Sequence, residues 1–206
     1  MSGFELLRPA LRELLEEKWH KALNPLQVSC ITRLKSGNNL IIESDEGTGK
    51  TSAVLVSILQ KIEQAAEGSP RAIVICKHDD QARLMHTELA NLAKFYDLTV
   101  DLAHEKGNML QQRNDIFDGT EIIIGTPKRI HDLYIQNGFN VSKLKLFVID
   151  DIQDQMKKGH CAQLKRMAES LPKCQFVLTS HSFADKRVQE FIEEFMPVHQ
   201  KIEGEA

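Results

Sequence analysis

The chain has 206 residues, of which 42% are apolar, and a formal charge of −3. Length and apolar content fit one well-packed globular domain, and the near-neutral charge gives no global footprint for a polyanion, so any nucleic-acid site must be a local basic patch. Four cysteines (Cys30, Cys76, Cys161, Cys174) are far apart and form no C-x-x-C pair, which argues against a zinc knuckle or a disulfide framework and reads as reduced, mostly buried thiols. No apolar run nears the ~20 residues of a membrane span, and Glu5 and Arg8 stand where a secretory core would lie. The expectation is an intracellular, cytoplasmic chain with no membrane partner.

Leucines 6, 7, 11, 14 and 15 follow helical spacing and predict an N-terminal helix laid on the core. Trp19 and His20 come next, Trp19 reading as packing against that helix. Beyond them, short β-branched runs alternate with helix-patterned stretches. Strands are predicted at 39–43, 71–76, 98–103, 121–125, 145–150 and 174–179, with helices near 49–65, 79–95, 107–117, 127–136, 159–171 and 184–196. Runs such as Ile73-Val74-Ile75-Cys76, Ile122-Ile123-Ile124 and Leu146-Phe147-Val148-Ile149 are almost continuously apolar, as strands covered on both faces must be. This predicts an α/β three-layer sandwich with a mostly parallel sheet covered by helices on both faces. Ligands of such sheets bind beyond the carboxyl ends of the strands, so chemistry is sought just after each run.

The first strand runs into Ser44-Asp45-Glu46-Gly47-Thr48-Gly49-Lys50-Thr51, which has the form of a phosphate-binding loop. Glycines let successive N–H groups point at one anion, the following helix adds its positive end, Lys50 reaches the β/γ-phosphates, and Thr51 offers a hydroxyl to Mg²⁺. The first glycine of the full pattern is missing; the match is to the looser small-x-x-Gly-x-Gly-Lys-Thr form, opened by Ser44. After Leu146–Ile149 come Asp150-Asp151-Ile152-Gln153. Asp after an apolar strand also caps turns and helices, but beside a phosphate loop it reads as a Walker B site, one carboxylate anchoring Mg²⁺ and the next polarising the attacking water. In Gly125-Thr126-Pro127-Lys128-Arg129, Thr126 suits a helix cap and Pro127 its first turn. Lys128 and Arg129 are then expected in an exposed first turn, where the macrodipole disfavours cations unless a phosphate binds. Thr179-Ser180-His181-Ser182 reads equally as a cap or as a functional strand end. His86, His104, His131, His160 and His199 share no metal-ligand spacing.

In order and position, these segments resemble the first RecA-like domain of the DEAD-box RNA helicases of superfamily 2, over nearly the whole chain. Asn24-Pro25-Leu26-Gln27 is similar to the Q motif, whose glutamine reads adenine, so the resemblance implies that role for Gln27. It implies ATP and Mg²⁺ on the loop 44–51, Asp150 and Thr51 as metal ligands, and Asp151 with Lys50 as the catalytic pair. It implies RNA-backbone contacts from Thr126, Pro127, Lys128, Arg129 and Gln112, and ATP–RNA coupling through Ser180, Ser182 and Gln153.

The chain also departs from the family. Asp151 replaces the catalytic Glu, withdrawing the carboxylate by roughly 1.5 Å, a misplacement able to cost ~10²-fold in rate. Gln153 replaces the motif's last Asp. Asp45 and Glu46 repel phosphates unless Lys or Mg²⁺ compensates. Lys77-His78-Asp79-Asp80-Gln81-Ala82 aligns with Pro-Thr-Arg-Glu-Leu-Ala, placing Asp79 where an Arg meets RNA, and Glu105-Lys106 aligns with a Gly-Gly pair. Both changes weaken backbone neutralisation. The chain ends at Glu205-Ala206, about where the family's linker begins, and is expected to be part of a longer protein whose second RecA-like domain acts in cis. The alternatives are a degenerate helicase-like scaffold with weak or no ATPase activity and, less in keeping with the motifs, a metabolic P-loop kinase or GTPase.

Overall fold

The apolar runs become the strands of one sheet in the computed structural model, which describes residues 3–19, 22–66, 68 and 70–204. They are β1 (Asn39–Ser44), β2 (Ala72–Ile75), β3 (Val100–Ala103), β4 (Ile122–Gly125), β5 (Leu146–Ile149) and β6 (Gln175–Ser180), joined by β7 (His199–Gly204). The order across the sheet is β3-β4-β2-β5-β6-β1-β7, and every pairing is parallel. The expected mostly parallel sheet is thus wholly parallel among the described residues.

Side chains alternate across a strand, and here the alternation sorts residues into two cores. Leu40, Ile42, Val74, Ile124, Val148 and Val177 face one layer, built from α1 (Pro9–Trp19), α2 (Pro25–Lys35), α3 (Lys50–Lys61) and α4 (Asp79–Ala93). Ile41, Ile73, Ile75, Ile123, Phe147, Ile149 and Leu178 face the other. That layer holds α5 (Met109–Asp118), α6 (Pro127–Ile135), α7 (Ile152–Lys157), α8 (Cys161–Ser170) and α9 (Lys186–Phe195). The three-layer arrangement is the expected one. Leu7, Leu11, Leu14 and Leu15 are buried in the first core, and Trp19 packs against it. His20, Glu205 and Ala206 lie outside the described residues. All four cysteines are free; Cys30 and Cys76 are buried, Cys161 and Cys174 half-buried.

Three elements, α2, α7 and β7, were not among those expected. α2 starts with a capping box: Asn24 Oδ1 accepts from Gln27 N and Gln27 Oε1 from Asn24 N, both at 2.9 Å. α7 is too short to show a helical period. β7 is polar because it is an edge strand, and Lys201 on it pairs with Glu43 at 2.5 Å and Glu203 at 2.6 Å. The helix expected over 49–65 ends at Lys61. No helix among the described residues is long and apolar enough to cross a membrane.

Candidate functional site

Because all strands run the same way, the segments after them line up along one edge of the sheet. From one end to the other these are 104–107 after β3, 126–129 after β4, Lys77 beyond β2, Asp150-Asp151 after β5, Thr179–Ser182 at the end of β6, and the loop after β1. Lys77, Asp150-Asp151 and the loop after β1 surround a cleft of about 390 Å³ lined by Glu46, Gly47, Gly49, Lys50, Thr51, Lys77, Gln81, Asp150 and Asp151. A larger concavity of about 540 Å³, lined by Ile116, Phe117, Tyr134 and Phe139, carries none of these groups.

The phosphate loop folds as its sequence requires. Gly49 has φ +91°, and a Cβ there would come within 2.8 Å of Asn24 Nδ2, so glycine is needed both for conformation and for close approach. Asn24 Nδ2 donates to Thr48 O at 2.9 Å, tying the start of α2 to the loop. Ser44 Oγ and Thr48 Oγ1 lie 2.8 Å apart, and Thr48 Oγ1 donates to Asp45 O at 2.8 Å. Lys50, 8% exposed, donates to Ser44 O and, at 2.6 Å, to Asp45 O, so its ammonium is held over the loop. Thr51 is the second residue of α3 and lines the cleft; Asp45 and Glu46 are exposed, Glu46 at the rim of the cleft.

Asp150 is 2% exposed. Its Oδ1 accepts from Thr179 Oγ1 at 2.5 Å and its Oδ2 from Gln81 Nε2. Burial, reinforced by neighbouring Asp151, pushes its pKa up to about 6. Asp151 has φ +52°, a left-handed conformation that Asp tolerates better than most residues, and its N–H donates to Thr179 Oγ1 at 3.0 Å. Its carboxylate meets Lys77 Nζ at 2.8 Å, and that hydrogen bond is the main cause that raises the Lys77 pKa. Gln153 Nε2 lies 3.2 Å from His181 Nε2, and Ser180 Oγ accepts from Ser182 N at 3.2 Å. Gln27 sits by Gly49, 8% exposed, with Oε1 accepting from Asn24 N in the capping box.

At the other end the expectations need more revision. Thr126 makes no side-chain cap to α6; its Oγ1 donates instead to Glu105 Oε1 at 3.3 Å. Arg129 is not exposed but 7% accessible, because α6 turns it toward α5 and the loop after β3. There its guanidinium donates to Glu105 O at 2.8 Å and Gln112 Oε1 at 3.3 Å. Gln112, 8% exposed, accepts from His104 N at 3.2 Å and donates to His104 O at 3.1 Å, so its amide is spent on the loop. Gly107 packs so tightly on it that a Cβ would fall 1.9 Å from Gln112 Nε2. Pro127 begins α6 as expected, and Lys128 is the exposed cation, 4.0 Å from Glu105 Oε2. Asp79, in the first turn of α4, lies 3.9 Å from His104 Nδ1. Lys77 and Gln81 were not singled out as site residues by the sequence reading, although Lys77 follows an apolar run directly.

A wholly parallel sheet that sets a phosphate loop against two strand-end carboxylates defines a P-loop nucleotide-binding domain of the RecA-like type. The chain belongs to the DEAD/DEAH box helicase family, whose pattern matches residues 24–191. Among curated relatives it is 29% identical over 181 residues to the ATP-dependent RNA helicase dbp-5 of Neurospora crassa, covering 86% of this chain and 37% of that protein. With the ATP-dependent RNA helicase eIF4A of Aspergillus niger the identity is 24% over 171 residues, 83% of this chain and 43% of the relative. The chain therefore spans less than half the length of these relatives. A DEAD box protein from the hyperthermophile Methanococcus jannaschii shares the fold with TM-score 0.88 at 16% identity, over 97% of this chain and 54% of that one. Dbp5 of S. cerevisiae, in a complex that contains ADP, superposes with TM-score 0.81 at 27% identity, over 96% of this chain and 52% of that one. Membership of the family implies nucleotide binding.

Proposed function

We propose that residues 1–206 form the N-terminal RecA-like domain of a DEAD-box ATP-dependent RNA helicase, binding ATP–Mg²⁺ on loop 44–51 and offering part of an RNA-backbone surface. A second RecA-like domain in cis would complete the enzyme. The observation that carries this reading is the convergence of Lys50, Thr51, Asp150 and Asp151 on one cleft from two separate strand ends. Lys50 would hold the phosphates, Gln27 would donate to the adenine edge, and Asp151 would polarise water from a carboxylate one methylene short. The oxygen donors Thr51 and Asp150 suit Mg²⁺, which P-loop sites hold through one or two protein oxygens plus substrate phosphates rather than a full protein cage. When bound, the metal would neutralise charge on the transferred phosphoryl group.

On the RNA side, Thr126, Pro127 and Lys128 would face the backbone, while Gln112 and Arg129 would shape the loop beneath them. Binding there would be weak, since Glu105 already engages Thr126 and Lys128. Ser180, Ser182 and Gln153 would relay the nucleotide state to that surface. Calorimetric titration of the chain with ATP, with and without Mg²⁺, tests the reading: Mg²⁺-enhanced binding that disappears in a folded Lys50→Ala variant supports it, and unchanged affinity in that variant refutes it.

A further inference from the structure

Lys77 stands two residues past the end of β2, where the strand order places it beside β5. Its side chain is 17% exposed and its Nζ bridges both walls of the cleft. It lies 2.8 Å from Asp151 Oδ2, 3.7 Å from Glu46 Oε1 in the phosphate loop, and 3.9 Å from Asp154 Oδ2. With Glu46 and Asp151, Asp150 is the third carboxylate lining this cleft, and Lys50 is the other ammonium. Lys50 is committed to the carbonyls of Ser44 and Asp45. A polyanion entering here meets three acids and needs more compensation than one lysine supplies.

We propose that Lys77 is a second phosphate-site cation, which donates to the terminal phosphate of a bound nucleoside triphosphate and offsets the repulsion from Glu46 and Asp151. The proposal rests on nucleotide binding at loop 44–51. An ammonium has three donors on a flexible stem, so it can keep its bond to Asp151 while turning a second proton toward a phosphate oxygen. Its contact with Glu46, whose side chain is 90% exposed, is cheap to exchange because exposed ion pairs contribute little. Lying at the Asp151 end of the cleft, the ammonium is placed for the last phosphate of the chain. Lys77 thereby makes the site prefer a triphosphate over a diphosphate.

The test is calorimetric titration of the 206-residue chain with ATP and with ADP, both in Mg²⁺, for native, Lys77→Ala, Lys77→Gln, Lys77→Arg and Lys50→Ala forms whose folding is checked by circular dichroism. Losing a charge-assisted hydrogen bond is expected to weaken ATP about tenfold or more, with a much smaller change for ADP. Lys77→Gln keeps a donor for Asp151 yet should show the same selective loss, and Lys77→Arg should restore most of the ATP preference. Equal losses for ATP and ADP, or a gain in ATP affinity in Lys77→Ala, would overturn the proposal and leave Lys77 as a partner of Asp151 alone. If the native chain binds neither nucleotide, the nucleotide reading falls and this one with it. If Lys50→Ala abolishes binding while Lys77→Gln leaves the ATP/ADP ratio unchanged, only the Lys77 proposal fails.

Discussion

The two ends of the strand-tip row use charge in opposite ways. Around β1, β2 and β5, acids crowd a cleft that stays open, and Asp150 is buried with its pKa raised. Around β3 and β4, the cations are consumed internally: Arg129 holds the carbonyl of Glu105, and the Glu105 carboxylate reaches Thr126 and Lys128. The first end keeps electrostatic tension for a ligand to relieve. The second has largely relieved its own, so a phosphate arriving there must displace a carboxylate of the chain.

Four substitutions or conditions probe that contrast. The largest effect is expected from Lys50→Ala, which removes the loop's anchoring ammonium: ATP affinity should fall below detection by calorimetry while the far-UV spectrum is kept. Arg129→Ala should act on folding, since it leaves the Glu105 carbonyl without its guanidinium donor and takes one of two donors from the buried Gln112 Oε1. A loss of about 1–3 kcal/mol, read by urea denaturation, is expected, and unchanged stability would show that the buried guanidinium is not structural. Glu105→Ala should be smaller and of opposite sign: single-stranded RNA binding, measured by fluorescence anisotropy at low salt, should tighten several-fold and lose that gain as salt screens the phosphates. A flat response would break the contrast at its second end.

The smallest effect concerns pH in the absence of nucleotide and metal. The carboxyl of Asp150 is held above its ordinary value, so between about pH 4 and pH 6 the folded chain binds the extra proton. The native chain should therefore lose stability relative to Asp150→Asn as pH rises through that window, and the difference should then stay constant. Melting temperatures of both forms across pH 4 to 8 check the sign.

Much of the sheet was legible because buried parallel strands must be apolar throughout, as Ile122–Ile124 and Leu146–Ile149 are. β7 was not, because His199–Gly204 gains its stability from pairing with β1 and from ion pairs across it, neither of which leaves an apolar signature. The start of α2 did carry a signal, the Asn24…Gln27 spacing of a capping box, hidden by its resemblance to a nucleotide motif. In the site, Lys50 and Asp150 could be read from local pattern. Lys77 left only the signal of following an apolar run and Gln81 left none, since what defines both is the carboxylate pair on an adjacent strand. Burial of Arg129 was equally invisible: a basic residue in a helix's first turn reads as exposed until the loop carrying Glu105 is seen to fold over it.

One hydroxyl gives the cleft a mechanical property. Thr179 Oγ1 donates to Asp150 and accepts from the backbone of Asp151, so both acids are pinned to β6, while Gln153 contacts His181 just beyond the same strand. β6 is flanked by β5 on one side and β1 on the other. A sub-ångström slide of this strand would carry both acids past the loop together, and would move His181 with them. By reciprocity, any partner that grips the 181–182 segment differently with and without nucleotide must change nucleotide affinity by the same factor that nucleotide changes its own. A single threonine would then set how stiff that linkage is.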